Sequence, residues 1–372
     1  MAVWRFLSTI FVLLTAIWWA ASTTEQKLSH QGINNVTVTG PDPVFLVDEI
    51  KLDEAVSCPV LVPQARETVL LVSGTGVTAQ TNWEYTLLAP LIYEGFQPCY
   101  VTIPHRLLDD IQISAEYISY AIKKLANEEN KTQISIISWS AGALTTQWTL
   151  TFYPETRSKV KRHIALGPDY RGSWVMIPLV YLNMFTEALV QQVPSSNFMR
   201  ALARFDGYRA LVPTTSIGSS TDLIVQPGFY GEGWPIFRDT WRLSGPQARN
   251  IDLFKLCAAN SLKRGAFPHI VSHDSLLWEA ASHQIIFAAL NNEETYLGST
   301  DNVTSDHCRG GPANHLPPDS ETKNSAIIPE LSDYAANYAS KMPLRGWPEV
   351  PLRDYTSVER LEKLKAREEK HV

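Results

Sequence analysis

The sequence carries little charge, and its charges are not gathered into blocks. Charged residues make up 19% of the 372 residues, and the formal net charge is −6. No block of lysine and arginine has the form of a nucleic-acid footprint, so nucleic-acid binding is excluded as a function class. The sequence contains neither an H-E-x-x-H motif nor a cysteine cluster, so the close pair His269 and His273 does not predict a metal site.

Long apolar runs are also scarce, and the one that stands out is at the start of the chain. Arg5 is followed by an apolar stretch of about 15 residues that ends in Ala20, Ala21 and Ser22, which is typical of a secretory signal peptide over residues 1–22. An uncleaved signal anchor is the alternative. No later segment is long and apolar enough to span a bilayer. The mature protein is therefore predicted to be soluble, secreted and extracellular.

Two further features agree with secretion. The cysteines are few but even in number, which in an oxidising compartment predicts disulfide bonds. Asn-x-Thr sequons offer acceptors for N-linked glycans in a eukaryotic secretory pathway. The cysteines are Cys58, Cys99, Cys257 and Cys308, and the sequons are at Asn35, Asn130 and Asn302.

The middle of the chain has no internal repeats and alternates between strand and helix patterns. Helices are predicted over about 110–128, with one apolar face, and over 141–152. This alternation favours an α/β fold with a mostly parallel central sheet and helices on both faces. Apolar runs typical of buried strands occur at 68–73, 98–103, 133–138, 163–167 and 210–217.

The composition also divides the chain. Residues 23–66 are polar and contain prolines, and they are predicted to be a propeptide-like segment or an N-terminal segment that wraps around the core. The α/β core is predicted over 67–318 and a C-terminal extension over 319–372. The charged stretch 357–370 within that extension predicts a solvated helix.

Residues 171–209 are unusually apolar for an excursion between two strands. Ser196 is predicted to cap a short helix that ends near Gly207. Two interpretations fit this segment: a pair of core helices, or a lid over a site for apolar substrates.

The most specific motif is Ser138-Trp139-Ser140-Ala141-Gly142, which lies between a predicted strand and a predicted helix. A nucleophile elbow, usually written G-x-S-x-G, makes a sharp turn there and needs small residues two before and two after the nucleophile. Ser138 replaces the first glycine but is still small. The motif therefore predicts that Ser140 is a nucleophile, whereas a structural serine at a strand end is the alternative.

A serine nucleophile needs a base and an orienting acid, which follow it in the order acid then histidine in α/β-hydrolases. Asp222 lies just past the predicted strand 210–217, where such an acid is expected; Asp169 ranks second, as a pocket residue. Among the later histidines, His273 lies at a loop-to-helix junction, and His269 is its closest rival.

A tetrahedral intermediate also needs N–H donors around its oxyanion. One is predicted at Ala141, directly after the nucleophile. Another is predicted in Gly74-Thr75-Gly76, which follows the first apolar strand, and the Thr75 hydroxyl could add a third donor. A simple tight turn is the alternative reading of this glycine pair.

These motifs together resemble those of the Candida antarctica lipase B family of α/β-hydrolases, from about residue 55 to about residue 318. The likeness rests on several long matches. They are V-S-G-T-G (72–76), G-F-Q-P-C-Y (95–100), S-W-S-A-G (138–142), Q-W-T-L-T-F-Y-P-E-T-R-S-K-V (147–160), L-G-P-D-Y-R-G (166–172) and V-P-T-T-S-I-G-S-S-T-D-L-I-V-Q-P (212–227).

The resemblance implies roles for individual residues. Ser140 resembles the nucleophile, Asp222 the acid and His273 the base. Other positions resemble the oxyanion hole (Thr75, Ala141) and the substrate pocket (Trp139, Asp169, Ile224), and the family pattern implies the disulfides Cys58–Cys99 and Cys257–Cys308.

The chain departs from the family pattern near the base. Ser272 replaces the aspartate that usually precedes the histidine, and the Lys- and Arg-rich insertion 258–268 is foreign to the family. His269 therefore remains an alternative base.

The sequence as a whole predicts a secreted serine hydrolase that cleaves carboxylic esters, with a lipid or other fatty-acyl ester as substrate, transient contact with lipid interfaces, and no metal, organic cofactor or obligate protein partner. An acyltransferase or amide-forming enzyme using the same triad is one alternative. A lipid-binding protein on a decayed hydrolase scaffold is another.

Overall fold

The computed structural model describes residues 36–127, 133–181, 186–228, 239–262, 267–341 and 349–357. The predicted signal peptide, the sequons at Asn35 and Asn130 and the tail beyond residue 357 lie outside the described residues. Within the described ranges, no helix is long and apolar enough to cross a membrane.

A seven-stranded sheet forms the centre of the chain, with the strand order β1-β3-β2-β4-β5-β6-β7. β1 pairs antiparallel with β3, and every other neighbouring pair is parallel. The α/β-hydrolase fold predicted from the sequence is thereby confirmed. The strands are β1 (Val56–Ser57), β2 (Thr68–Val72), β3 (Gln97–Val101), β4 (Ile134–Trp139), β5 (Val160–Leu166), β6 (Thr214–Gly218) and β7 (Ala248–Asp252).

Helices cover both faces of this sheet. Eight of them, α1 to α8, belong to the first half of the described chain or to its apolar excursion, and the other four follow the last strands. They are α1 (Glu49–Glu54), α2 (Ala79–Trp83), α3 (Leu88–Tyr93), α4 (Ile111–Asn127), α5 (Ala141–Phe152), α6 (Met176–Tyr181), α7 (Glu187–Gln191), α8 (Asn197–Arg204), α9 (Leu253–Leu262), α10 (Ala280–Asn291), α11 (Ser320–Ser325) and α12 (Ile327–Lys341).

The central strands are buried on both faces, which explains their continuous apolar runs. Every residue of β2, β3 and β4 is buried, as expected for parallel strands covered by helices on either side. One apolar cluster joins Leu71, Ile137 and Leu166 to α10, and a second joins Leu70 and Ile136 to α4. The side chains that emerge where these strands end are consequently held on a rigid support.

The apolar excursion carries three short helices, α6 to α8. The Ser196 hydroxyl accepts a hydrogen bond from the Met199 amide and so caps α8, as the sequence predicts. Phe198 of α8 stacks on Trp148 with ring centroids 4.0 Å apart and is buried in the core. The α8 part of this segment is therefore core structure, and a lid function for the remainder stays a prediction.

The structure contains two disulfides. Cys58–Cys99 ties the segment after β1 to β3, and Cys257–Cys308 ties α9 to the loop after α10. Both are the pairings that the family resemblance implies. The second constrains the chain on both sides of the loop that carries His269 and His273.

Candidate active site

Ser140 lies on the sharp turn between β4 and α5. Its backbone has φ 55° and ψ −134°, a region that residues other than glycine rarely adopt. The turn is crowded: a Cβ at Gly74 would lie 2.7 Å from the Trp139 ring, and one at Gly142 would collide with the backbone of Ser73. The need for small residues around the turn matches a nucleophile elbow.

Ser138, two residues earlier, points into the core. Its Oγ lies 2.6 Å from Nε2 of His163 on β5, and both residues are fully buried. Burial lowers the pKa of His163 to about 3, so this histidine is neutral. The serine that replaces the first glycine of the motif thus has a buried hydrogen-bond partner of its own.

His273 and Asp222 form a close pair on two neighbouring loops. Nδ1 of His273 lies 2.6 Å from Oδ2 of Asp222, and each side chain is only 2% exposed. The other oxygen of Asp222 accepts hydrogen bonds from the amides of Ile224 and Val225, at 2.7 and 3.0 Å. Burial opposes protonation of His273, but the charge and hydrogen bond of Asp222 outweigh it and raise the pKa of the imidazole above its usual value.

Two hydroxyls connect the loops that carry the candidate acid, Asp222, and the candidate base, His273. The Val271 carbonyl accepts hydrogen bonds from Ser219 at 2.8 Å and from Thr221 at 3.0 Å, and the Val271 amide donates to Thr221 at 3.1 Å. Sequence reasoning missed this contact, although the S-S-T-D run that ends in Asp222 contains both hydroxyl residues. The two hydroxyls fix where His273 stands relative to Asp222.

His273 is also located beside the serine turn. Its carbonyl accepts a hydrogen bond from the Trp139 indole at 3.1 Å, and a Cβ at Gly167 would lie 2.9 Å from the imidazole. Leu166, the neighbour of Gly167, accepts a hydrogen bond from the Ser140 amide at 2.9 Å. Nε2 of His273 is buried and has no hydrogen-bond partner among the described residues. The second imidazole nitrogen is thus available to a serine hydroxyl or a substrate.

The rival histidine has a different partner. Nε2 of His269 lies 3.1 Å from Oε1 of the fully buried Glu279. The hydrogen bond that His269 donates to the Glu279 carboxylate raises the pKa of the imidazole. Because this ring is paired with Glu279 at the start of α10, it lacks the pairing with Asp222 that His273 has.

Asp169 lies near both members of the His273–Asp222 pair and is buried. Neither of its carboxylate oxygens has a hydrogen-bond partner among the residues the structure describes. Burial raises its pKa to about 7, against the attraction of His273. Trp139 packs beside His273 with ring centroids 4.9 Å apart, and half-buried Ile224 follows Asp222 by two residues. The three predicted pocket residues therefore lie next to the candidate base or acid.

The two predicted oxyanion donors are at the ends of neighbouring strands. Thr75 follows β2, is buried, and its hydroxyl accepts a hydrogen bond from the Gln192 side chain at 3.4 Å. Ala141 is the first residue of α5, and Ser140 makes no side-chain cap to that helix. The first N–H groups of a helix have no intrahelical acceptor, and the helix dipole favours negative charge there.

Comparison with known proteins agrees with the resemblance seen in the sequence. No family model matches the chain. The chain is 30% identical over 291 residues to Lipase B of Pseudozyma antarctica, which covers 78% of this chain and 81% of that protein. The fold is similar to the crystal structure of Aspergillus fumigatus lipase B, with a TM-score of 0.72, 26% identity, and coverage of 88% of this chain and 76% of the other.

Proposed function

The chain belongs to the lipase B family of α/β-hydrolases and is a carboxylic ester hydrolase, and from that premise we propose that Ser140, His273 and Asp222 act as its catalytic triad on fatty-acyl esters. The observation that carries the proposal is the buried His273–Asp222 pair, 2.6 Å apart, beside a serine in a strained backbone conformation. Strain of this kind clusters at functional sites.

In the proposed acylation step, His273 takes the hydroxyl proton of Ser140 while the serine oxygen attacks the ester carbonyl. Asp222 holds the imidazole through Nδ1, which leaves Nε2 to accept the proton, and its charge stabilises the imidazolium. The carbonyl oxygen becomes an oxyanion between the N–H groups of Thr75 and Ala141. His273 then gives the proton to the departing alcohol, and the acyl group stays on Ser140.

Deacylation repeats these steps with water as the nucleophile. His273 takes a proton from water, the resulting tetrahedral intermediate collapses, and the proton returns to Ser140 as the fatty acid leaves. No step requires a group that the residues named here do not supply. The apolar side chains of Trp139 and Ile224 and the buried Asp169 line the side of the site where we place the acyl chain.

We also propose that the protein is secreted after removal of residues 1–22 and is glycosylated. Asn302, the one sequon within the described residues, is exposed, as an acceptor must be. Sequencing the N-terminus of the secreted protein, and measuring its mass before and after treatment with an N-glycosidase, tests both statements. Retention of residues 1–22 would instead support the signal anchor.

The central experiment compares hydrolysis of p-nitrophenyl esters, from acetate to palmitate, by the wild type and by Ser140→Ala, His273→Ala and His269→Ala. The triad predicts losses of about 10³-fold or more for the first two variants. His269→Ala, a matched change of a neighbouring histidine, should retain most of the activity. The rate as a function of acyl length identifies the preferred ester.

Two results would contradict the assignment. If His269→Ala were inactive and His273→Ala active, the base would be His269. If the wild type neither hydrolysed the esters nor reacted with a fluorophosphonate, the protein would be better explained as a lipid-binding protein than as a serine hydrolase. Transfer of the acyl group to an added alcohol in preference to water would favour the acyltransferase alternative.

A further inference from the structure

The turn after β3 is an unusual stretch of backbone outside the triad. His105, Arg106 and Leu107 follow one another with φ of 49°, 55° and 56°, all in the left-handed region. Apart from glycine, asparagine and aspartate, residues visit this region rarely, and a run of three needs support from its surroundings. Leu107 is buried in the core, which fixes one end of the turn. The other residues are held by contacts across the chain.

Arg106 binds both backbone polar groups of Gly76. Its carbonyl accepts a hydrogen bond from the Gly76 amide at 2.7 Å, and its guanidinium donates to the Gly76 carbonyl at 3.3 Å. Gly76 has a positive φ of 78° and directly follows Thr75. Arg106 therefore hydrogen-bonds the loop that carries a proposed oxyanion donor, at the residue directly after that donor.

The guanidinium of Arg106 is itself held by helix α12 from the C-terminal extension. It lies 3.1 Å from Glu330 and stacks over the Tyr334 ring, 3.9 Å from the centroid. One turn further along the same helix, Tyr338 donates to Asp109 at 2.6 Å. Residues 330, 334 and 338 are spaced at i, i+4 and i+8, so they form one stripe of the helix that faces the turn.

Helix α12 also touches the loop directly. A Cβ at Gly76 would lie 3.1 Å from the Leu331 carbonyl and 3.2 Å from its Cα, so the helix backbone packs against the glycine. On the other side of the loop, the Gln192 side chain donates to the Thr75 hydroxyl. The Gly74-Thr75-Gly76 loop is thus held between the α7 region and α12, and Arg106 is the polar link to the latter.

We propose that Arg106 is a positioning residue for the oxyanion donor at Thr75. Helix α12 then contributes to the geometry of the active site by holding Arg106. The inference rests on the proposed function, which makes Thr75 a donor. Hydrogen-bond donors stabilise an oxyanion only when they are held within about 0.5 Å of the productive position. A loosened loop loses that benefit in the transition state and leaves binding of the ester nearly unchanged.

The test compares Arg106→Leu with Arg66→Leu as the matched control. Arg66 is an exposed arginine that likewise stacks on an aromatic ring, at 4.9 Å from the Phe96 centroid, and donates to a backbone carbonyl, but it lies beside α10 away from the loop. The readouts are kcat, KM and the inhibition constant of an alkylboronic acid. Its adduct with a serine is a tetrahedral anion, like the intermediate.

Arg106→Leu should lower kcat by about 10- to 10²-fold, somewhat less than removal of a whole oxyanion donor. KM should stay within about 2-fold, and boronate affinity should fall by a factor similar to that of kcat. Glu330→Gln and Arg106→Lys should give smaller changes in the same direction, because each keeps part of the contact. Arg66→Leu should leave all three quantities unchanged.

The Ser140→Ala variant distinguishes failure of the proposed triad from failure of the proposed role of Arg106. If that variant keeps activity or binds the boronate as the wild type does, the proposed function fails, and the role of Arg106 with it. If it is inactive while folded Arg106→Leu keeps full kcat and boronate affinity, only the Arg106 proposal is overturned. Thermal unfolding of each variant confirms that kinetics are measured on folded protein, and the milder Glu330→Gln and Arg106→Lys replace a variant that does not fold.

Discussion

Two serines of the same S-W-S run have a histidine as a neighbour, and the two regions they occupy differ in almost every other respect. Ser138 is fully buried within β4 and bonds His163 at 2.6 Å. Ser140 is partly exposed on the turn, beside His273, whose other nitrogen is held by Asp222. The core contact of Ser138 and the candidate catalytic centre at Ser140 are thus only two residues apart in sequence, on either side of the end of β4.

The difference lies in the carboxylate rather than in burial. Both imidazoles are buried, and burial alone lowers the pKa of His163 to about 3. For His273 the same desolvation is outweighed by Asp222, and the pKa rises above its usual value. Proximity of a serine and a histidine is therefore weak evidence for catalysis, because only a histidine with a stabilised cation can take a proton near neutral pH.

The largest expected effect contrasts the two serines directly. Ser140→Ala should reduce kcat by up to about 10⁶-fold, as loss of the nucleophile does in serine hydrolases. Ser138→Ala should keep kcat within a few-fold, because the Ser138 hydroxyl points away from the site. Labelling by a fluorophosphonate, followed by identification of the modified peptide, checks the contrast. Labelling of Ser138 in the wild type, or full activity in Ser140→Ala, would break it.

The second prediction removes the carboxylate that distinguishes the two histidines. Asp222→Asn should reduce kcat by about 10⁴-fold. Without the negative charge, burial is no longer outweighed, so the pKa of His273 should fall and its environment should resemble that of His163. The acidic limb of the residual kcat/KM profile should then move to lower pH.

A neighbouring acid supplies the control for this change. Asp274 also raises the pKa of His273, but by charge alone and as the last of the causes. Asp274→Asn should move the acidic limb in the same direction by less and leave kcat nearly unchanged. An acidic limb that stayed in place in Asp222→Asn would show that another group sets it.

The sequence predicts a feature of these two regions well when the residues that determine the feature are close together in the chain. The bounds predicted for helix α5, residues 141–152, are those observed, and the elbow before it follows from small residues a few positions apart. Strand β7 was missed because Ala248–Asp252 lies at the sheet edge, where three of its five positions are only partly buried or exposed and no continuous apolar run is needed.

Contacts between distant segments were less predictable. The order of acid and base in α/β-hydrolases led to Asp222 and His273, but the fit of Gly167 against the imidazole depends on where a loop about a hundred residues later passes. The contact of Arg106 with Glu330 spans 224 positions. No periodicity within either segment encodes that contact.

The third prediction concerns Asp169, which couples to the active pair without bonding to it. Its pKa is raised to about 7 by burial, and its charge is among the causes that raise the pKa of His273. Asp169→Asn should shift the acidic limb of kcat/KM to lower pH and change the rate at pH 8 by less than about 10-fold. Because the two groups titrate together, the profile reports the pair. An unchanged profile would place Asp169 outside the site.

The smallest effect on activity is expected at the buried Ser138–His163 pair, where substitutions should mainly change the free energy of unfolding and its dependence on pH. His163 has a folded pKa of about 3, below its ordinary value near 6.5. Between these values the unfolded chain binds the extra proton, so the free energy of unfolding should fall as the pH falls below about 6.5, by up to about 1.4 kcal/mol per pH unit. His283, with a pKa lowered to about 4, adds a similar contribution.

His163→Leu should therefore remove the contribution of His163 to this acid sensitivity and leave that of His283, with kcat unchanged at pH 8. Ser138→Ala acts differently: it leaves Nε2 of His163 buried without its partner and should cost about 1–3 kcal/mol at neutral pH. Urea unfolding at pH 7.5 and pH 5 measures both effects. If His163→Leu kept the full slope, protonation of His163 would not limit folding. If Ser138→Ala lost activity in proportion to Ser140→Ala, the two serines would not be the independent sites that their surroundings indicate.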